Sequence, residues 1–434
     1  MIAMYNIVNV AIGLGVLVLI YTLLSFEILH RTAAAILGAT LIMLLDIVLR
    51  FTDFNTLLEG IDMDTILLLM SMMIIVSVLS RTGVFDYIAS VILSRYKARP
   101  FMLIAILSGF TAVVSAFIDN VTTVLLITPI VIEIATSLRI DPRPILLSIV
   151  FASNIGGTAT LIGDPPNIII GSVANLGFMD FIENLAPITM VNFFLFLGIM
   201  KVLLRSWLRE YSRKARLDVA RKKTDVHVEK SLLRKVLFCL GVVITLFMLE
   251  DFLKYPPAIP ALIGAGFLMA LTRKRISIES ILADVDWSTL VFFMTMFIMI
   301  KGVEELGVMD FIAEVIGGQN WCLPVLLLVI LWTSAFISAF VDNIPFVMVM
   351  VHVIPSISEA LAIDPEPLYW SLSLGGCLGG NGTLVGASAN VVVAGIADKH
   401  GYHISFIGFM KYGMTVMIAT VALSSLYLIF RYTM

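Results

Sequence analysis

Two Asp-Asn pairs stand where carboxylates are expensive. Residues 115–124 read SAFIDNVTTV and residues 338–347 read SAFVDNIPFV, so the same motif recurs 223 residues apart in a chain of 434. An ionised carboxylate inside hydrocarbon costs several kcal/mol unless it is solvated, paired or neutralised. Asp119 and Asp342 are therefore expected to bind a coupling proton or Na⁺, with Asn120 and Asn343 as neutral oxygen ligands. Each Asp also suits the start of a helix, where its oxygens accept backbone N–H bonds, and the two roles are compatible.

A second repeated segment supplies the other polar groups. Residues 154–167, NIGGTATLIGDPPN, align without a gap on residues 377–390, CLGGNGTLVGASAN. Gly156, Gly157, Gly379, Gly380 and Gly382 permit close backbone approach, and Pro165 and Pro166 stop a helix from continuing. Carbonyls freed by such a break, together with Thr122, Asn154, Thr158, Thr160, Asn381 and Thr383, are candidate ligands for an ion or a small solute. Asp164 has no acidic counterpart, because Ala387 takes its place; it is expected either to make the site unequal or to cap residues 166–169. Asn167 and Asn390 are matched across the repeat and are expected to cap the second half-helices, with substrate contact as the other role. Cys377 takes the place of Asn154 and reads as a small packing residue, since thiolate capture of a metalloid needs several Cys. His352 reads as a satisfied histidine within the bundle.

The elements that must carry these groups are membrane helices. The sequence is 60% hydrophobic and 14% charged, and apolar runs near twenty residues, long enough to cross about 30 Å of hydrocarbon, recur throughout. The first run has no basic residue before it and no small-residue cleavage site, so it is expected to be a retained helix. The fold expected is all-α and polytopic: two inverted repeats, each of about five transmembrane helices plus one re-entrant hairpin, with broken helices at the midplane. In the first repeat, 1–205, scaffold helices occupy 1–98, the hairpin 101–138, the broken helix 143–175 and the last helix 180–205. A basic linker covers 206–235. In the second, 236–434, the same parts fall at 236–316, 321–362, 366–397 and 404–432. Residues 61–92 and 285–316 are alike as well, and both halves carry Asp-Pro-x-Pro, at 141–144 and 364–367.

Charge tests the inversion. With the N-terminus outside and five spans per half, 24 of the 28 Lys and Arg fall at cytoplasmic ends, and only Arg50, Lys254, Lys301 and Arg431 fall outside. The stretch 201–235 alone carries twelve of them, which marks it as cytoplasmic by the positive-inside rule. The chain is expected in the plasma (inner) membrane.

These motifs resemble the ion transporter superfamily. The DN hairpin followed by NIGGTATLIGDPPN is most similar to the branch that holds arsenite-efflux pumps, the melanosomal P-protein and NhaD-type Na⁺/H⁺ antiporters, a citrate-transporter-like domain. The resemblance covers nearly the whole chain. It implies an elevator-like movement of hairpin and broken helix past a scaffold, and a homodimer formed through that scaffold. Dicarboxylate carriers of the superfamily have Ser-Asn-Thr at the hairpin tips; Asp119-Asn120-Val121 and Asp342-Asn343-Ile344 replace it here, which argues against di- and tricarboxylates.

The function expected is secondary active transport of a small anion or oxyacid, arsenite being one candidate, coupled to H⁺ or Na⁺ and running as efflux. Na⁺/H⁺ antiport is the alternative, and a passive anion channel a further one. No nucleophile constellation, metal-ligand set or Walker motif occurs, so no enzyme, no cofactor, no metal beyond a Na⁺ and no nucleic-acid partner are expected. The partners are the small ion and the lipid bilayer. A cytosolic ATPase docking on the basic linker is the minority reading.

Overall fold

The computed structural model describes residues 7–26, 28–96, 99–137, 140–215, 228–317 and 321–433, and these form helices and connecting turns only. The first half opens with α1 (Ile7–Ser25), α2 (Arg31–Leu49), a short α3 (Phe54–Glu59), α4 (Met63–Ser80) and α5 (Val84–Tyr96). The hairpin follows as α6 (Pro100–Ser115) and α7 (Asn120–Ser137). The broken helix is α8 (Arg143–Gly157) and α9 (Pro165–Ala174), and α10 (Phe178–Leu203) ends the half. After α11 (Arg205–Ala215), the second half repeats the order: α12 (Lys230–Leu253), α13 (Ala258–Thr272), α14 (Ile278–Ala283), α15 (Trp287–Glu305), α16 (Val308–Gly317), α17 (Leu323–Phe340), α18 (Asn343–Leu361), α19 (Glu366–Gly379), α20 (Ser388–Lys399) and α21 (Phe406–Thr433).

Among the described residues, nine stretches are long and apolar enough to cross a membrane, including both arms of the second hairpin, α17 and α18. In the first hairpin α6 and the apolar stretch Asn120–Glu133 of α7 are shorter, as is α13. The linker is less bare than its composition implies. Its first part is helical, α11, and Tyr211 in it is buried. Its last part belongs to α12, which starts at Lys230 and not at 236. Both changes follow from amphipathic patterning: Trp207, Leu208 and Tyr211 lie on one side of α11 among charged residues, and helix formation lets them pack while the charges stay outside. Residues 216–227 lie outside the described residues.

Equivalent helices of the two halves run antiparallel where they meet. Arg81, just past the end of α4, pairs with Asp284, just before α15, and Ser77 of α4 donates to the same carboxylate. At the opposite end, Gly60 before α4 packs on the stem of Lys301 near the end of α15. The last helices behave alike: Asn192 meets Ser424 at 3.0 Å and Asn184 meets Tyr432 at 2.5 Å. The N-termini of α4 and α15 have the same cap. Asp62 accepts from the Thr65 N–H, and Asp286 accepts from the Thr289 N–H; each bond satisfies a donor that the first helical turn leaves open.

Arg31, Arg81, Arg275 and Glu229 collect at one end of the bundle through contacts of Arg31 with Asp286, of Arg81 with Asp284 and of Arg275 with Glu229. Lys301 lies at the other, with Glu304 and Glu305. The charge asymmetry of the sequence is thus an asymmetry of the folded helix ends.

Candidate functional site

The hairpins and broken helices pack as one unit because their contact surfaces are nearly side-chain free. Gly156 of α8 lies against the backbone of Ala112 in α6, and a Cβ there would collide with the Ala112 carbonyl. Gly379 of α19 repeats this, with a Cβ falling 2.6 Å from the Ala335 carbonyl of α17. Small residues let helix backbones approach closely in a membrane. Hydroxyls then tie the pairs: Ser115 donates to the Ser153 carbonyl at 2.8 Å, and Ser338 to the Gly376 carbonyl at 2.7 Å. Thr160 and Thr383 donate to the carbonyls of Ala116 and Ala339 at the ends of the first hairpin arms. Gly156, Gly379, Thr160 and Thr383 are therefore assembled into this close packing, Thr158 donates to the Asn154 carbonyl of its own helix, and Thr122 lines the cavity instead.

Asn167 and Asn390 do not cap their helices. Their Nδ2 groups reach back across the break, Asn167 to the carbonyls of Thr158 and Thr160, and Asn390 to those of Gly380 and Thr383. They satisfy carbonyls orphaned at the end of the preceding half-helix, which a buried break must do. Asp164 does not cap residues 166–169 either. It stands at the N-cap of α9 without a capping bond, and its Oδ1 accepts from Asn120 Nδ2 at 3.1 Å instead.

The broken helices of the two halves are joined by amides. Asn154 Nδ2 lies 3.1 Å from both Asn381 Oδ1 and Asn390 Oδ1. The related contact from the other side is Cys377 Sγ to Asn167 Oδ1 at 3.5 Å, reinforced by Ser373 Oγ at 2.6 Å. Cys377 is fully buried and packs as a small donor. His352 Nδ1 meets the Met348 carbonyl one turn back in α18.

The two DN tips differ. Asp119 Oδ1 accepts from the Thr122 N–H at 2.9 Å, and Asp342 Oδ1 from the Ile344 N–H at 3.2 Å, so both carboxylates do cap the second arm. Asp342 Oδ2 also accepts from Ser388 Oγ at 2.8 Å, and Ser388 Oγ in turn accepts from Arg31 Nη1 at 2.5 Å. Arg31 is further held by Thr289 and by Asp286 on α15, and Tyr21 of α1 donates to the Pro345 carbonyl. The second tip is thus bonded to the scaffold helices. The first tip faces a cavity of about 300 Å³ lined by Asp119, Asn120, Thr122, Asp164, Asn343 and Ser388, and across it by Ser77, Ser80, Arg31, Asp284 and Asp286. The latter residues sit at the basic end of the bundle, so the cavity extends toward that end. Arg31, Ser388 and Ser373 carry no repeat signature, and sequence reasoning did not select them for the site.

The architecture and this chain's similarities agree. A model of the citrate transporter family matches residues 21–375. The chain belongs to this family. It is 39% identical over 426 residues to an uncharacterized transporter of Mycobacterium tuberculosis, covering 97% of this chain and 98% of that one. It is 34% identical to the P protein of Mus musculus over 97% of its own length but 60% of the relative's, so it spans about three-fifths of that larger protein. The crystal structure of the Alcanivorax borkumensis YdaH transporter, described as having an unusual topology, superposes with a TM-score of 0.61 at 15% identity, covering 92% of this chain and 98% of that one; the likeness is one of fold. As a family member, the chain is a multi-pass membrane transporter.

Proposed function

We propose that this transporter is a secondary active carrier that exports a small oxyacid, with arsenite as one candidate, coupled to H⁺ or Na⁺. The observation that carries the reading is the cavity. One DN tip, the buried carboxylate of the broken helix and the amide of the other tip all open onto it, and it reaches toward one end of the bundle. The antiparallel pairing of α4 with α15 and of α10 with α21 supports an inverted repeat, the arrangement from which alternating access arises by rocking or sliding one unit against another. Hairpins and broken helices are packed as one unit by glycine contacts, which supports their moving together in an elevator-like step, with the hairpins re-entering and not crossing. The basic end is the cytoplasmic one by the positive-inside rule. The cavity is then open inward, with the N-terminus outside.

Asp119 and Asp342 bind the coupling ion in turn. In this conformation Asp119 faces the cavity, while Asp342 is engaged with Ile344 and Ser388. Movement of the second tip away from the scaffold breaks the Arg31–Ser388–Asp342 connection and frees Asp342 to bind the ion.

A tricarboxylate fits the cavity poorly. Asp119, Asp164, Asp284 and Asp286 line it, and the guanidinium that lines it among the described residues, Arg31, is already engaged. A further carboxylate placed 4 Å from one of these is opposed by about 4 kcal/mol at an effective dielectric of about 20. The same carboxylates favour a second reading, Na⁺/H⁺ exchange with no other cargo.

Flux in proteoliposomes separates the readings. Export by a coupled carrier responds to an imposed H⁺ or Na⁺ gradient and shows counterflow. An exchanger moves Na⁺ against H⁺ with no oxyacid present. A passive channel follows only the gradient of its permeant ion.

A further inference from the structure

Three cations stand in a row where α10 passes into α11. Lys201, Arg205 and Arg209 follow one another at intervals of four residues, the spacing that makes helical side chains neighbours. The helical bonding carries across the join, since the Leu208 N–H donates to the Leu204 carbonyl at 2.9 Å. All three cations are exposed. Leu204 and Tyr211, on another side of the helix, are buried, and Trp207 and Leu208 pack beside them. The row is therefore held in place and turned outward.

The same side of α10 is apolar before the row begins. Val191, Phe194 and Val202 are exposed, and a Cβ at Gly198 would meet nothing within 4 Å. These positions recur at intervals of three and four, so they form one stripe that runs on into Arg205 and Arg209. In a membrane protein such a stripe faces acyl chains, and the cations that end it stand at headgroup level. Lys201 Nζ lies 5.2 Å from the centre of the Phe101 ring, in the first turn of α6.

No carboxylate of the protein answers this row. Other arginines at helix ends are paired: Arg31 with Asp286, Arg81 with Asp284, Arg143 with Asp141 and Arg275 with Glu229. Lys201, Arg205 and Arg209 form no ion pair among the described residues.

We propose that Lys201, Arg205 and Arg209 bind the headgroup phosphate of an anionic phospholipid whose acyl chain lies along Val202, Gly198 and Phe194. Guanidinium groups suit phosphate oxygens, which they can engage by two parallel bonds. A free phosphate uses the cations and leaves the stripe uncovered. A zwitterionic lipid covers the stripe but brings its own ammonium group to the cations. An anionic phospholipid matches both. The bound lipid bears on the hairpins and broken helices, because α11 packs on α6 and Phe196 of α10 meets Phe151 of α8 edge to face. The site involves neither cargo nor coupling ion, so it stands or falls apart from the carrier reading.

The test is photolabelling of the full-length protein in phosphatidylcholine liposomes that contain a trace of phosphatidylglycerol or of phosphatidylcholine, each with a diazirine in one acyl chain. Labelled positions are read by peptide mass spectrometry. Phosphatidylglycerol is expected to label residues 191–202 at least about fivefold more than phosphatidylcholine does, the attraction of a single basic residue for an anionic surface. The excess is expected to fall in Arg205→Gln and to vanish when Lys201→Gln, Arg205→Gln and Arg209→Gln are combined. Combining Lys201→Arg, Arg205→Lys and Arg209→Lys keeps the charge and is expected to keep the excess. So is the combination of Arg95→Gln, Lys230→Gln and Arg234→Gln, which removes equal charge elsewhere. Unlabelled phosphatidylglycerol should compete and glycerol phosphate should not. Equal labelling by the two lipids, an excess that survives the three glutamines, an excess equally lost in the Arg95, Lys230 and Arg234 combination, or full competition by glycerol phosphate would overturn the proposal.

Discussion

Asn154 and Asn390 meet side chain to side chain across the two halves, Nδ2 to Oδ1 at 3.1 Å, with both residues buried. The bond joins the end of the half-helix α8 to the start of the half-helix α20. It continues through Asn120 to Asp164, so the first tip and both breaks share one amide network. Asn154→Leu leaves Asn390 Oδ1 and Asn381 Oδ1 without this donor. The expected cost is about 1–3 kcal/mol for each buried group left unsatisfied, seen as a lower thermal unfolding midpoint in detergent. Asn154→Gln, which keeps a donor but displaces it, is expected to fall between Leu and the native residue.

Glycine contacts set how closely the hairpin arms and broken helices pack. Gly156→Ala and Gly379→Ala each drive a methyl into backbone of the adjacent hairpin arm. Overpacking of this kind costs about 1–3 kcal/mol, occasionally more. Gly241→Ala and Gly395→Ala place a methyl in open space and are expected to leave the unfolding midpoint within about 0.5 kcal/mol of the native value, or above it, since Ala favours helix over Gly.

Thiol chemistry distinguishes packing from metalloid capture. Cys322 is exposed, whereas Cys239 and Cys377 are buried. Brief maleimide treatment of the folded protein is expected to modify Cys322 and spare the other two, read by intact and peptide mass spectrometry. Cys377→Ser retains a donor toward Asn167 Oδ1 and is expected to preserve transport. Loss of oxyacid transport in that variant would give the thiol a chemical role.

Arg31 joins α2 and α15 to Ser388 and, through it, to Asp342. If the second tip must part from the scaffold during the cycle, this connection breaks each time. Arg31→Gln is therefore expected to alter the turnover rate by several-fold with a smaller change in KM, measured as initial flux against solute concentration. A change confined to KM would instead make Arg31 a cargo ligand.

At the outer rim of the cavity, burial pushes the Asp284 carboxyl up, but hydrogen bonds from Arg81 and Ser77 and the Arg81 charge outweigh it and hold the group below the usual carboxylate range. A depressed carboxyl stabilises the fold above its unfolded pKa, and that contribution is lost as the pH falls through the folded value. Because the pair is partly exposed, it is expected to contribute less than about 1 kcal/mol. Arg81→Gln should lower the unfolding midpoint slightly at pH 7, and the difference from the native protein should disappear as the pH falls through the lowered titration range of the Asp284 carboxyl.

Much of this arrangement was legible in the sequence because it is local or repeated. The DN pairs, the glycine-rich breaks and the prolines mark hairpins and interrupted helices by chemistry that acts within a few residues. The roles of Asn167, Asn390 and Asp164 were not legible. Each sits where a cap is expected, and each spends its side chain on a group that is distant in sequence or across the break, a choice fixed by tertiary packing. Arg31 and Ser388 were missed for a related reason, since they lack counterparts in the repeat. Helix α11 was hidden by its charge content, which reads as a solvated linker until its three aromatic and aliphatic residues are placed on one side.

The most direct measurement of the carrier reading is solute flux in proteoliposomes under an imposed H⁺ or Na⁺ gradient, compared between the native chain, Asp119→Asn and Asp342→Asn. The expected result is uphill oxyacid movement in the native protein that either substitution reduces at least about tenfold, the size of effect given by loss of one charge-assisted contact. Coupled transport left unaltered by both substitutions, or native flux that ignores the imposed gradient, would contradict it.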